Sequence, residues 1–355
     1  MLTNIPADLD FSLLPEWYPH SATQLHWPSN RQTWPGKRLK KVEHIYLDII
    51  EVLHNYEAIH LFVENKKVHK DVLFLLEERG IDLNQIVFHI QAINDVWARD
   101  CGPLFVCRED NGDIDYAIVD WEYNSWGEKY PPYDADNKLP DYIAFKYGIT
   151  RFNPDMVLEG GAIETNGDGV LLTTESVLLN PNRNPQMTKG EIEKRLKDYL
   201  GIRKVIWLKG GLAGDDTDGH VDDVARFLNE NTILAMRADS ADDINHQVLD
   251  ENLKILHKAT GRLGYSFAIE TLPMPQTRIE GATVDGSTHV PASYTNFYIA
   301  NGVVLVPLYD KRYDREAMRL FRQYFPDRDI VGIPCADLVW GQGAIHCITQ
   351  PWYGL

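Results

Sequence analysis

Residues 170–208 read VLLTTESVLLNPNRNPQMTKGEIEKRLKDYLGIRKVIWL. Thr188, followed three residues later by Glu191, forms a capping box, in which an N-cap hydroxyl and an N3 carboxyl each satisfy the other's backbone amide. Ile192, Leu196, Tyr199 and Leu200 then fall on one helical face, and Gly201 stops the helix. The apolar run Val205-Ile206-Trp207-Leu208 follows as a strand. Ahead of the helix, Val170 to Asn180 predicts strand, turn and strand. The unit is a hairpin, a helix and a strand.

The same order recurs along the chain. Val224 to Met236 supplies two strands around Asn229-Glu230-Asn231, followed by a helix from about Ala241 to Thr260 and a strand around Phe267 to Leu272. Phe297 to Leu308 is a hairpin turning at Asn301-Gly302, a strong hairpin signal, with a helix at Arg315–Phe325 and a strand at Ile330–Ile333. Leu104 to Val119 holds a hairpin around Asn111-Gly112 with a helical stretch after it, and Val42 to Ile90 predicts helix, strand, helix and strand, the least regular of the set. About five such units, spaced by tens of residues, point to a cyclic or stacked α/β architecture. No Pro/Gly/Ser-rich linker divides the chain, so one domain over residues 1–355 is expected.

Composition narrows the function classes. An apolar share of 44% with 25% charged residues is that of a soluble globular protein, and no apolar run approaches bilayer length. Met1 to Asp10 lacks a cationic segment leading into an apolar one, so a secretory signal is not expected and the predicted location is cytoplasmic. Cys101, Cys107, Cys335 and Cys347 match no zinc-ribbon or CxxC spacing and are expected as free thiols. The net charge of −17 disfavours nucleic acid as a partner and would draw in a cation, although simple solubility is the commoner reason for such a charge. Neither nucleic acid nor membrane is an expected partner, and a homo-oligomer is compatible with the sequence.

The segments that carry chemistry lie in the loops leaving the last strand of a unit. They are Trp97-Ala98-Arg99-Asp100-Cys101-Gly102-Pro103, Leu158-Glu159-Gly160-Gly161, Gly214 to Asp222, and Gly341 to Cys347. If the units are related by rotation, these loops meet at one end of a common axis, where two carboxylates, a His-x-Asp and a cysteine share a cavity. At the start of a strand, His220 and Asp222 would face the same way, about 6.5–7 Å apart. A structural histidine or half of a metal site is the competing reading. Asp215, Asp216, Asp218, Asp222 and Asp223 would repel one another unless a cation comes near.

Cys347 follows Gly341 and Gly343, glycines that allow backbone to approach a ligand, whereas Cys107 and Cys335 read as structural. Cys101 is a weaker nucleophile candidate, because adjacent Asp100 should raise its thiol pKa. In an extended chain His346 would face away from Cys347, leaving His220 as the better base. Asp100 and Glu159 each have an ordinary loop role as the alternative, Arg99 is expected to pair with a structural carboxylate, and Trp97 is either core or a wall for a planar cation.

Taken together, WARDCGP, LEGGAIETNG, DDTDGHVDDVARF, SYTNFYIANG and GQGAIHCITQ resemble the agmatine deiminase and bacterial Porphyromonas-type peptidylarginine deiminase-like family of guanidine-modifying enzymes. The opening segments around Pro15-Glu16-Trp17, His26-Trp27-Pro28 and Thr33-Trp34-Pro35-Gly36 also look like that family. The resemblance implies a pentein fold, a five-bladed α/β propeller of ββαβ repeats with pseudo-fivefold symmetry. It implies Cys347 as nucleophile, His220 as general acid/base, and Asp100 and Asp222 on the guanidinium nitrogens. Glu159 would orient or charge-stabilise His220. Apart from the resemblance, Trp97 and Asp216 are further candidate substrate contacts. No metal or organic cofactor is implied. Cys101 stands where many relatives have Thr, and Asp218 and Asp223 where plant-type enzymes usually have Asn.

A guanidinium is planar and cationic and calls for in-plane carboxylates, each charge-assisted hydrogen bond contributing about 1.5–3 kcal/mol. The expected function is hydrolysis of agmatine to N-carbamoylputrescine and ammonia through a covalent cysteine intermediate. Peptidyl-arginine or free arginine is the alternative substrate, and an amidinotransferase the alternative enzyme. A metallohydrolase with His220, Asp222 and Cys347 as ligands, and a polyamine-binding protein without catalysis, complete the alternatives.

Overall fold

In the computed structural model, residues 5–276 and 286–355 are described. Among them the strands form five small sheets of three or four strands, each holding both parallel and antiparallel pairings. The helix Lys189–Leu200 shows how local sequence sets a unit. Thr188 and Glu191 form the expected reciprocal capping box, Ile192, Leu196, Tyr199 and Leu200 are its buried face, and Gly201 ends it with φ of 64°. The helix is the crossover that parallel strands require, joining Val170–Thr174 to Lys204–Leu208. Equivalent crossovers are His246–Leu256 between Thr232–Arg237 and Ala268–Pro273, and Asp314–Tyr324 between Val303–Leu308 and Asp329–Pro334.

Two expectations are corrected. Val170–Asn180 is not a hairpin: Glu175–Leu178 is a helical turn, started by the Thr174 hydroxyl accepting from Val177 N at 3.3 Å. The antiparallel partner of Val170–Thr174 is Glu164–Thr165, across a turn in which Asn166 Oδ1 accepts from Asp168 N and Val170 N. The helix expected over 241–260 is shorter, His246–Leu256.

The first unit is irregular because its antiparallel strand comes from the other end of the chain. Gln350–Trp352 pairs with Ala22–His26, which continues in parallel to Ala58–Val63 and Ile86–Ile90. Trp352 is fully buried and its indole Nε1 donates to Gln24 Oε1 at 2.7 Å. No helix among the described residues is long and apolar enough to cross a membrane.

Candidate active site

Each loop singled out above folds into a short helical turn just past a sheet: Ala98–Cys101, Gly160–Ala162, Val221–Asp223 and Ile345–Ile348. The turns pack in series, 345–348 on 98–101, 98–101 on 160–162, and 160–162 on 221–223. This brings together residues almost 250 positions apart. His220-Val221-Asp222 does not begin a strand, as was expected. Residues 221–223 are a 3-10 turn and the strand starts at Ala225, because Thr217 Oγ1 and Asp215 Oδ2 accept the His220 amide at 3.1 and 3.2 Å.

Gly161 marks the meeting point. A Cβ there would stand 2.6 Å from His220 Nδ1, 2.8 Å from Asp100 Oδ1 and 3.2 Å from Asp222 Oδ2, so the position tolerates only glycine. Asp100 accepts from Gly161 N and from Trp126 Nε1, both at 3.0 Å, and lies 3.7 Å from His220 Nδ1. Gly343 has the same relation to Cys347: a Cβ would come 3.1 Å from Sγ and 2.4 Å from the Trp97 ring. The thiol itself is buried, 3.8 Å from Asp222 Oδ2.

His346 is placed differently from the expectation. Residues 345–348 are a helical turn rather than extended chain, so its ring turns inward, with Nδ1 2.6 Å from Asp222 Oδ2 and Nε2 2.9 Å from Glu16 Oε2. Arg99 meets its structural carboxylate as expected: Nη2 donates to Glu16 Oε2 at 2.7 Å.

The site is an acidic cluster whose buried arginines, Arg99, Arg183 and Arg226, are paired to Glu16 and Glu159 rather than to Asp100 or Asp222. Burial, with Glu159, pushes Asp100 up to about 7, the Gly161 and Trp126 donors acting against it. Burial and then Asp100 hold Asp222 well above the ordinary carboxylate range, and burial with Asp222 does the same for Asp223. The Cys347 thiol is raised by burial, Asp222, Asp223 and Asp100. His220 is lowered by burial and Arg183. The Cys101 thiol is raised chiefly by burial, with Asp136 and Asp100 adding to it. Both nitrogens of His220, Asp222 Oδ1 and Glu159 Oε2 have no hydrogen-bond partner among the described residues. Buried polar groups are normally paired, so four unpartnered atoms in one cluster leave hydrogen-bonding capacity that a polar ligand could use.

A cavity of about 740 Å³ opens beside this cluster. Cys347, Asp100, Trp97 and Asp216 line it, whereas His220, Asp222 and Glu159 are not among the lining residues, so the expectation that all share one cavity wall is only partly met. Trp97 and Trp126 meet edge to face, ring centroids 6.1 Å apart. Asp216 sits toward the tyrosines, accepting from Tyr130 Oη at 2.6 Å. Glu159 is held by Arg183, Nε to Oε1 at 2.6 Å, and Arg183 continues to Asp218 at 2.6 Å.

Two site residues escaped sequence reasoning. Asn296 Oδ1 accepts from His346 N at 2.9 Å and Cys347 N at 3.3 Å, while its Nδ2 donates to Asp223 Oδ1 at 2.9 Å and lies 3.1 Å from Cys347 Sγ. It leads into Tyr298–Ala300 from the loop after Ala268–Pro273, the fifth equivalent loop of the repeat, so counting the units would have found it. Glu16, in the quoted Pro15-Glu16-Trp17 segment, had no local signal. Asp222, Asp223 and Cys347 offer ligand atoms within 4.8 Å of one another, which a metal could use. That set does not include His220, and the Asn296 amide points its donor into it, which fits an anion-rich organic site better than a metal centre.

Residues 12–352 match the family model described as Porphyromonas-type peptidyl-arginine deiminase. An agmatine deiminase of Medicago truncatula is 34% identical, with 98% of each chain covered. The structure of an agmatine deiminase of Enterococcus faecalis superposes with a TM-score of 0.89 at 30% identity, covering 99% of this chain and 98% of that one. A Porphyromonas gingivalis structure provisionally named an arginine deiminase gives 0.84 at 34% identity, over 96% and 98% of the two chains. The fold is the pentein fold, and the class is that of hydrolases acting on amidine C–N bonds. The chain belongs to the Porphyromonas-type peptidyl-arginine deiminase family.

Proposed function

We propose that this protein is an agmatine deiminase, which hydrolyses the guanidinium of agmatine to N-carbamoylputrescine and releases ammonia. The observation that carries the reading is the convergence of Cys347, His220, Asp100 and Asp222 around Gly161 and Gly343, a buried anionic cluster shaped for a planar cation. The agmatine deiminases among the relatives support the substrate.

In this reading Asp100 and Asp222 accept the guanidinium N–H groups and hold the central carbon over Sγ. The bound cation offsets the carboxylates that raise the thiol, and neutral His220 takes its proton. A C–S bond forms, His220 returns the proton to the departing nitrogen, and the C–N bond breaks to free ammonia. His220 then deprotonates water, which adds to the amidino-thioester-type intermediate; the C–S bond breaks and the ureido product leaves. Glu159 positions and charge-stabilises His220, Trp97 forms a wall beside the cation, and Asp216 faces the distal amine. The chain acts as a single catalytic domain in the cytoplasm, with a small cationic guanidine as its partner, not nucleic acid or membrane.

The test is ammonia and ureido product from agmatine, free arginine and an arginyl peptide. Agmatine is expected to give the highest kcat/KM, and Cys347→Ala to lower turnover at least about 10³-fold while keeping agmatine binding. Turnover of arginyl peptide alone would reassign the substrate, and full turnover by Cys347→Ala would overturn the mechanism.

A further inference from the structure

His346 is buried with a carboxylate at each ring nitrogen, and the reaction just described makes no use of it. The two carboxylates are not alike. Glu16 is saturated with donors: Arg99 Nη2 at 2.7 Å on Oε2, and Arg226 Nη2 at 2.9 Å and Ile299 N at 2.8 Å on Oε1. It is a fixed anion, so His346 Nε2 at 2.9 Å carries a hydrogen and donates to it. Asp222 has little comparable support. Its Oδ1 has no partner among the described residues, Asn296 Nδ2 stands at a weak 3.4 Å, and Asp100, Asp223 and the Cys347 thiol crowd it, while Arg226 and Arg99 act on it only through space. The 2.6 Å contact between Asp222 Oδ2 and His346 Nδ1 therefore holds one proton, on oxygen or on nitrogen.

We propose that His346 is a positioning residue that stores the Asp222 proton when a guanidinium binds. In the empty site the proton is on Asp222 Oδ2 and Nδ1 accepts it. When the cation arrives, the O–H bond breaks, Nδ1 takes the proton, and the electron pair left on Asp222 accepts the guanidinium N–H. The imidazolium is then flanked by two anions, and the site acquires a cation without losing a proton to solvent. The opposed environments agree: burial with Asp100 raises Asp222, burial with Arg226 and Arg99 lowers His346, and Arg226, His346 and Arg99 outweigh burial to keep Glu16 low. The inference rests on the reading that Asp222 meets the guanidinium.

Two measurements test it on the full-length Cys347→Ala protein with agmatine as the probe. The first follows the ¹⁵N resonance of His346 Nδ1, which is expected to move from the unprotonated to the protonated range on binding. The second counts protons by calorimetry in buffers of different ionisation enthalpy. Adding His346→Gln is expected to release about one proton more per agmatine bound, because the displaced proton has no nitrogen to occupy. An Nδ1 resonance that does not change, or equal proton counts with and without His346, would overturn the proposal even if the unmodified protein turns over agmatine. Ammonia released from none of the three guanidines would instead count against the proposed function. If His346→Gln does not fold, the resonance alone decides.

Discussion

Asn296 holds the surroundings of Cys347 together. One side chain accepts from the amides of His346 and Cys347 and places a donor 3.1 Å from Sγ, so it shapes the helical turn at 345–348 and faces the sulfur at once. Donation to a developing thiolate is a charge-assisted hydrogen bond, whereas donation to a thiol is weak, so in the proposed reaction the bond would strengthen as the thiolate forms. Asn296→Ala is expected to lower kcat/KM by roughly 10- to 100-fold, the value of one such bond. It should also slow alkylation of Cys347 by a cationic amidine more than by neutral iodoacetamide. Equal rates with the unmodified protein would remove Asn296 from the proposed reaction. Within the same cluster, Gly343 was legible as a glycine that allows close approach, but not that Cys347 and Trp97 crowd it; Gly161, against His220, Asp100 and Asp222, carried no such signal.

At the scale of elements, the turn bearing Trp126 is unusual. Ser125, Trp126, Gly127 and Glu128 have φ of 53°, 55°, 90° and 63°, four consecutive residues in the left-handed region. For residues with a Cβ this costs about 1–2 kcal/mol each, so surrounding contacts must hold the turn. Asn124 Oδ1 accepts from Gly127 N at 2.9 Å, and Lys129 Nζ donates to Asp218 Oδ1 at 2.8 Å. The strain presents the Trp126 indole to Asp100 Oδ2. Glu128 is exposed, and its replacement by glycine relieves the backbone without opening a cavity. Glu128→Gly is expected to stabilise the protein by about 0.5–1 kcal/mol in urea unfolding, against the usual direction for an introduced glycine. A loss of similar size would show that the turn is not strained at this position.

For the whole molecule, burial of charge sets the response to pH. Burial chiefly pushes Asp95 up to about 6, Asp100 to about 7 and Asp136 to about 8, all from 3.8. The folded state holds these protons more tightly than the unfolded one, so ionisation costs stability; the loss begins as pH rises past 3.8 and is complete above the folded values. Three buried histidines run the other way: His26 and His60 are lowered to about 4 and His89 to about 3, from 6.5, mainly by burial. Their contribution is present above 6.5 and lost as pH falls through that value toward the folded ones. Above pH 6.5 the histidines no longer change and the acids act alone. The Tm of the empty protein is therefore expected to fall between pH 6.5 and about 8.5, and saturating agmatine to reduce the fall by supplying a cation to Asp100. Thermal melts across that range check it, and a flat or rising Tm would contradict the assignment.

Most of the elements and their order were written in the sequence, since helix period, capping residues and turn signals act over a few residues, although Val170–Asn180 and the start of the strand after His220 were misread. The helix Lys189–Leu200 with its capping box and the hairpin at Asn301-Gly302 were legible for that reason. So were the loops holding Asp100, Glu159, Asp222 and Cys347, because their place in a repeated unit is itself a local property. Tertiary structure alone decided the rest. That Gln350–Trp352 closes the first sheet, that Glu16 anchors His346, and that Asn296 meets Cys347 all depend on residues tens to hundreds of positions apart. Such contacts are encoded only in the joint burial of many side chains. The direction His346 faces was settled the same way, by a single helical turn that replaced the extended chain its neighbours suggested.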